Sequence, residues 1–285
     1  MTGARRTALV VLLAAGVLLG WAGPARAHAG GLVATDARSR VVAISPSVAG
    51  LSIVTIESGA KLRLVNQGRL PVSIPGVTAP VQPGTTRTWA EPAATPAGRH
   101  ADGDWSLTLD IGGSPVVVRG VFDRVTPPPF APWWAGVLGL AVAVPLGCRR
   151  VRRGDLVLAG VGLLAMAASV THVIGSSLAV TSAPFLGTFV DAAGVNLLAW
   201  PLIAGGVVAV GRGRPAGLLA VCAGAALTAV FVLPDVTSFH RSVLPFAGPA
   251  TLERLLVVFA LGGGAGTAIA GATVLRALAA RPEAT

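Results

Sequence analysis

Two hydrophobic rhythms divide the chain. Between residues 28 and 128 apolar and polar positions alternate in short stretches separated by Gly, Pro, Asn and Ser, the period-two pattern of half-buried strands. In Trp105-Ser-Leu-Thr-Leu-Asp-Ile111 the odd positions are apolar and the even ones polar, so one face packs and the other meets water. The pattern predicts strands at 40–44, 51–56, 61–65, 70–74, 85–89, 105–111 and 115–122, with turns at Ser58-Gly59, Asn66-Gln67-Gly68, Pro83-Gly84 and Gly112-Gly113. Strands this short and this frequent suggest an all-β, Ig-like β-sandwich. The segment has no cysteine, so core packing alone must hold it.

After Pro127-Pro128-Pro129 the alternation gives way to long apolar runs, read as spans at 131–148, 156–175, 186–210, 216–234 and 252–275. Trp133 and Trp134 stand where an interfacial aromatic anchor belongs. Trp200-Pro201 predicts a kink in the third span, because proline removes a backbone donor. Gly262 and Gly266 form a small-xxx-small pair suited to close packing within the bundle. Cys148 and Cys222 read as small packing residues. At the other end of the chain, Arg5 and Arg6, the apolar run 8–21 and Ala25-Arg26-Ala27 have the form of a signal peptide over 1–27. Cleavage after Ala27 would make His28 the first residue; Ala27-His28-Ala29 is a second frame, in which cleavage after Ala29 removes it. The expected organisation is a signal peptide (1–27), an extracytoplasmic β-domain (28–128), a five-helix transmembrane domain (129–278) and a cytoplasmic tail (279–285).

Composition sharpens this division. Of 285 residues 53% are apolar and 12% charged, against about 25% charged in an ordinary soluble domain. A wholly soluble or a disordered protein is therefore excluded. The net charge of +10 comes from 22 basic residues, of which Lys61 is the only lysine. Arg149, Arg150, Arg152 and Arg153 follow the first span, Arg212 and Arg214 the third, and Arg276 and Arg281 the fifth. The opposite loops hold Arg241 and Arg254. By the positive-inside rule the β-domain lies outside and the C-terminus in the cytoplasm. The charge sets topology, so the partner it implies is the lipid bilayer of the cell membrane, and nucleic acid drops out.

Chemistry is sparse. All four histidines (His28, His100, His172 and His240) fall on the expected outer side. An N-terminal His28 offers its amine and ring nitrogen together; with His100 and Asp102 it would make a mixed nitrogen and oxygen site suited to Cu(II). In the bundle, His172 shares a helical face with Ser169 and Ser176. Asp191 sits about 7 Å into the third span, a depth at which an ionisable group is expected to face the bundle interior. A His172–Asp191 pair could bind a cation, relay protons, or simply tie two spans together. Asn196 lies about 140° of helical arc from Asp191, away from that face. Asp235, His240, Arg241, Glu253 and Arg254 read as loop and helix-start punctuation, with Thr251 as N-cap. There is no Gly-x-x-x-x-Gly-Lys, His-Glu-x-x-His or Cys-x-x-Cys, and an enzyme is not expected.

The run from Asp104 to Phe122, followed by Pro127-Pro128-Pro129 and Trp133-Trp134, resembles an actinobacterial membrane protein family with an exported β-domain tethered to a short bundle of spans. Domains of that family often carry a Trp-His-Asp-His-type segment before the equivalent strand; here only His100 and Asp102 of Arg-His-Ala-Asp-Gly-Asp match it. An exported β-domain opening on His28-Ala29 and joined to a histidine-bearing bundle is also distantly similar to CopC and CopD copper-handling proteins. That resemblance implies copper binding or delivery at the outer face. The alternatives are a metal-independent structural or interaction module of the envelope, with a protein partner, and a small transporter.

Overall fold

The computed structural model describes residues 29–96 and 103–279. The expected signal peptide and the expected metal ligands His28, His100 and Asp102 lie outside the described residues.

Seven strands form where alternation predicts them: β1 (Ala37–Ser45), β2 (Leu51–Ile56), β3 (Lys61–Asn66), β4 (Val72–Ser73), β5 (Thr85–Trp89), β6 (Asp104–Ile111) and β7 (Ser114–Arg124). They make two antiparallel sheets, ordered β1-β7-β6-β4 and β2-β3-β5. One apolar core draws on both: Ile53, Leu62 and Leu64 from the smaller sheet meet Leu107, Leu109 and Val118 from the larger. In β6 burial alternates along the whole strand, with Trp105, Leu107, Leu109 and Ile111 inside. Trp105 pairs in register with Gly120, where any side chain would overlap the indole. Asn66, expected in a turn, is instead the buried last residue of β3. Its amide donates to Leu70 O and Val81 O, both at 2.9 Å, and its Oδ1 accepts from Gly68 N.

The helical part comprises α1 (Ala131–Arg150), α2 (Gly154–Leu178), α3 (Phe185–Ala193), α4 (Asn196–Gly211), α5 (Ala216–Val232), a 3-10 segment (Leu233–Phe239), α6 (Ala250–Val258), a π turn (Phe259–Gly263) and α7 (Gly264–Ala279). Among the described residues four helical stretches are long and apolar enough to cross a membrane, or five if α3 and α4 count as one broken span. These two meet at 73°. The expected bend at Pro201 is thus displaced to Gly194, whose φ of 46° ends α3, while Pro201 sits inside α4. Glycines bring the backbones together as the small-residue pattern suggested. A Cβ on Gly262 would lie 2.8 Å from Val137 O, and one on Gly266 would lie 2.9 Å from Leu140 O.

The β-domain is docked on one end of the bundle. Thr35 and Val243 exchange two backbone hydrogen bonds, 2.9 and 2.8 Å long. Asp36 pairs with Arg241 and accepts from Ser242 N, and Ser242 Oγ donates to Thr126 O at 2.6 Å. On the other flank Glu57 accepts from Ser182 N at 2.9 Å, while Lys61 donates to Ser182 Oγ at 2.7 Å. Following the helices away from this contact puts the loops 151–153 and 212–215 at the opposite end, and with them the exposed Arg149, Arg150, Arg152, Arg153, Arg212 and Arg214.

Candidate functional site

Four ionisable side chains are buried together near the docked end of the bundle. His172, about 9 Å from the end of α2 by helical rise, is held between carboxylates from two other elements. Its Nε2 lies 3.2 Å from Asp235 Oδ2, supplied by the 3-10 segment, and its Nδ1 lies 2.8 Å from Glu253 Oε1, in the first turn of α6. The Nδ1 contact is short, yet Nδ1 has no hydrogen-bond partner among the described residues. Relative exposure is 5% for His172, 3% for Asp235 and 2% for Glu253, which removes the solvent that makes surface ion pairs weak. Arg254 completes the group. Its Nε donates to Ser238 O and its Nη2 to Arg241 O, both at 2.8 Å, and its guanidinium stands 5.7 Å from the Trp133 ring centroid.

The placement follows from local sequence. Pro234, in the first turn of the 3-10 segment, immediately precedes the buried Asp235. Pro249 is the N-cap of α6, so Ala250 starts the helix and Thr251 is not the cap that the sequence suggested. With no side-chain cap at that end, Glu253 points to His172 rather than back to its own backbone. The loop between these elements folds over the bundle mouth: Ala247 N donates to Gly175 O at 2.9 Å, and Phe246 packs on the bare backbone of Gly175.

Beside the cluster is a narrow cavity with room for about one water molecule, lined by Ser169, His172, Ser176, Asn196, Phe231 and Asp235. Ser176 Oγ and Asn196 Oδ1 are buried there with no hydrogen-bond partner among the described residues, whereas Ser169 Oγ accepts from Trp200 Nε1 at 3.2 Å. The expected grouping of His172 with Ser169 and Ser176 holds. The expected pairing with Asp191 does not form: Asp191 is exposed on α3, and the ring of His172 is occupied by Asp235 and Glu253. The break at Gly194 accounts for the exchange, since it uncouples the faces of α3 and α4 and lets Asn196 enter the cavity. His240 is elsewhere, stacked on Phe130 at 5.1 Å and accepting from Trp134 Nε1 at 3.3 Å.

Each imidazole nitrogen faces a carboxylate oxygen, and an ionised carboxylate only accepts. Two carboxylates and one guanidinium sum to −1 beside a neutral His172 and to zero when one more proton is held, wherever among the three groups it resides. The cluster is therefore electrically neutral only when it holds that one additional proton. Among the described residues no group of three or more His, Cys, Asp or Glu side chains is arranged to bind a metal ion.

Fold and site together define a membrane-type helical bundle with a buried ionisable cluster and a docked β-domain. Comparison with protein-family models, with curated proteins and with solved structures finds no match for this chain.

Proposed function

We propose that this chain is a multi-pass membrane protein that carries a β-sandwich on the extracytoplasmic face, and that the His172–Asp235–Glu253 site exchanges one proton whose binding is felt at the β-domain. The observation that carries this reading is a continuous set of contacts. Glu253 and Arg254 are neighbours; Arg254 holds the carbonyl of Arg241; Arg241 pairs with Asp36 of the β-domain. Buried ion clusters contribute little net stability against apolar packing, and ionisable groups inside spans mark function by default. The outer position of the β-domain is supported by the six exposed arginines at the far end of the bundle. The sandwich assignment is supported by a core shared between the two sheets. Copper binding draws no support from the described residues; it rests on His28, His100 and Asp102, which lie outside them, and on the sequence resemblance.

The test is hydrogen exchange on the full chain in lipid vesicles at about pH 5 and about pH 8, the range in which histidine chemistry operates. Exchange in residues 240–249 and at Thr35 is expected to change with pH, and His172→Gln to abolish that change. A pH response that survives His172→Gln, or none at all, would overturn the reading. A second reading, a small proton-coupled transporter, is favoured by the break between α3 and α4 beside the cavity, since broken helices line transport sites. Proton flux across the same vesicles, lost in His172→Gln, would select it.

A further inference from the structure

From the opposite end of the molecule we infer an anionic phospholipid site formed by the arginine turns and the outer face of α1. Arg149 and Arg150 close α1, Arg152 and Arg153 fill the link to α2, and Arg212 and Arg214 occupy the link between α4 and α5. All six are exposed, and none makes an ion pair among the described residues. Their backbones are held. Gly154 packs directly on Cys148 O, which folds the first turn back on α1, and Gly206 and Gly217 bring α4 and α5 into backbone contact just below the second. A small apolar cluster of Val144, Leu158, Ala270 and Leu218 packs α1, α2 and α5 near these ends against the middle of α7. The two turns are thus neighbouring, ordered sources of positive charge that form no ion pair among the described residues, not even with the exposed Asp155 in the first turn of α2.

A general need for cytoplasmic arginines does not explain what lies beside them. α1 is the least buried of the span-length helices, and Leu138, Val142 and Leu146 are exposed along it at four-residue spacing. Arg149 falls within about 20° of Leu138 around the helix axis, so the aliphatic stripe runs into its guanidinium. From Leu138 to Arg149 the rise is about 16 Å, close to half of the roughly 30 Å hydrocarbon core. Such a surface matches one leaflet's lipid: acyl chains on the stripe and a phosphodiester at the arginines, whose planar forks suit phosphate oxygens. A nucleic acid would match the arginines and leave the stripe without a partner.

The experiment is native mass spectrometry of the detergent-solubilised full chain, titrated with phosphatidylglycerol and with phosphatidylcholine of the same chain length. Phosphatidylglycerol adducts are expected to dominate. Arg149→Gln with Arg153→Gln should weaken them by roughly fivefold per arginine. Arg38→Gln with Arg40→Gln, on β1, removes equal charge from the other end and should leave them unchanged. If the first pair fails to insert, Arg149→Lys with Arg153→Lys preserves topology and should still lower retention through the lost fork. Equal binding of the two lipids, undiminished binding in both Arg149/Arg153 variants, an equal loss in the β1 control, or displacement of phosphatidylglycerol by a short single-stranded RNA would each overturn the site.

Discussion

Replacing His172 by alanine removes the group that Asp235 and Glu253 both face, at 3.2 and 2.8 Å. The side chains left behind are almost wholly buried, and breaking a buried pair by deleting one partner costs about 3–5 kcal/mol. The existing cavity decides where in that range the loss falls. It already has room for about one water, and truncation to alanine enlarges it, so water can enter and solvate the carboxylates. His172→Ala should therefore lose about 3 kcal/mol, and His172→Leu, which fills the space with an apolar group, nearer 5 kcal/mol. Against a typical total of about 5–15 kcal/mol, either loss is large. The assay is reversible unfolding of the full chain in mixed micelles, scored by the Trp signal. A double-mutant cycle with Glu253→Ala sharpens it: the pair should lose about 1–3 kcal/mol less than the sum of the singles, because the second deletion removes one of the groups that the first had stranded. Additive losses, or a loss under about 0.5 kcal/mol for His172→Ala, would refute the claim that these groups form one electrostatic unit.

Three further outcomes follow from the packing. Gly120→Ala would drive a methyl into the Trp105 indole and should cost about 1–3 kcal/mol in a melt that follows the β-domain. Gly175→Ala would collide with Phe246, so hydrogen exchange should rise across residues 240–249 while the β-domain core stays protected. Asp36→Asn breaks the link to Arg241; because that pair is exposed, global stability should fall by no more than about 1 kcal/mol. Limited proteolysis in the 125–130 link should nevertheless accelerate if docking depends on that pair.

The strands were legible because the period-two pattern is a local property: all seven strands overlap their expected positions, and β6 alternates residue by residue. Four of the five expected spans were legible for the same reason, since length and apolarity mark them, whereas the third, 186–210, is two helices that meet at 73°. The site was half legible. His172 with Ser169 and Ser176 follows from helical phase alone, but its partners come from residues 63 and 81 positions further along the chain, and no periodicity reports which loop returns to which helix. Asp191 stood out in the sequence because it interrupts an apolar run, yet it belongs to a nine-residue helix cut off by Gly194 and stays on the surface. Glu253 looked like a favourable charge at a helix start. A signal was present all the same: an acid within the first turn of an apolar span, next to an arginine, is as costly to bury as one in mid-span and invites the same question about a partner.

The order of these contacts along the molecule bears on mechanism more than any one of them does. A cluster whose only task was to tie helices together would be complete with His172, Asp235 and Glu253, each from a different element. Arg254 instead donates from Nε to Ser238 O in the 3-10 segment and from Nη2 to Arg241 O in the loop that follows, so the loop is held by the residue next to the one that faces the imidazole. When the proton count of the cluster changes, the field at Arg254 changes with it, in a region of low dielectric where screening is weak. The loop it positions supplies both the side-chain and the backbone contacts to the β-domain, through Arg241 to Asp36 and Val243 to Thr35. On the proposed reading, proton occupancy and domain docking share this loop as their common element. Arg254→Lys, which keeps the charge and loses the two-carbonyl fork, should uncouple them: docking loosens at every pH, and exchange in residues 240–249 no longer follows protonation.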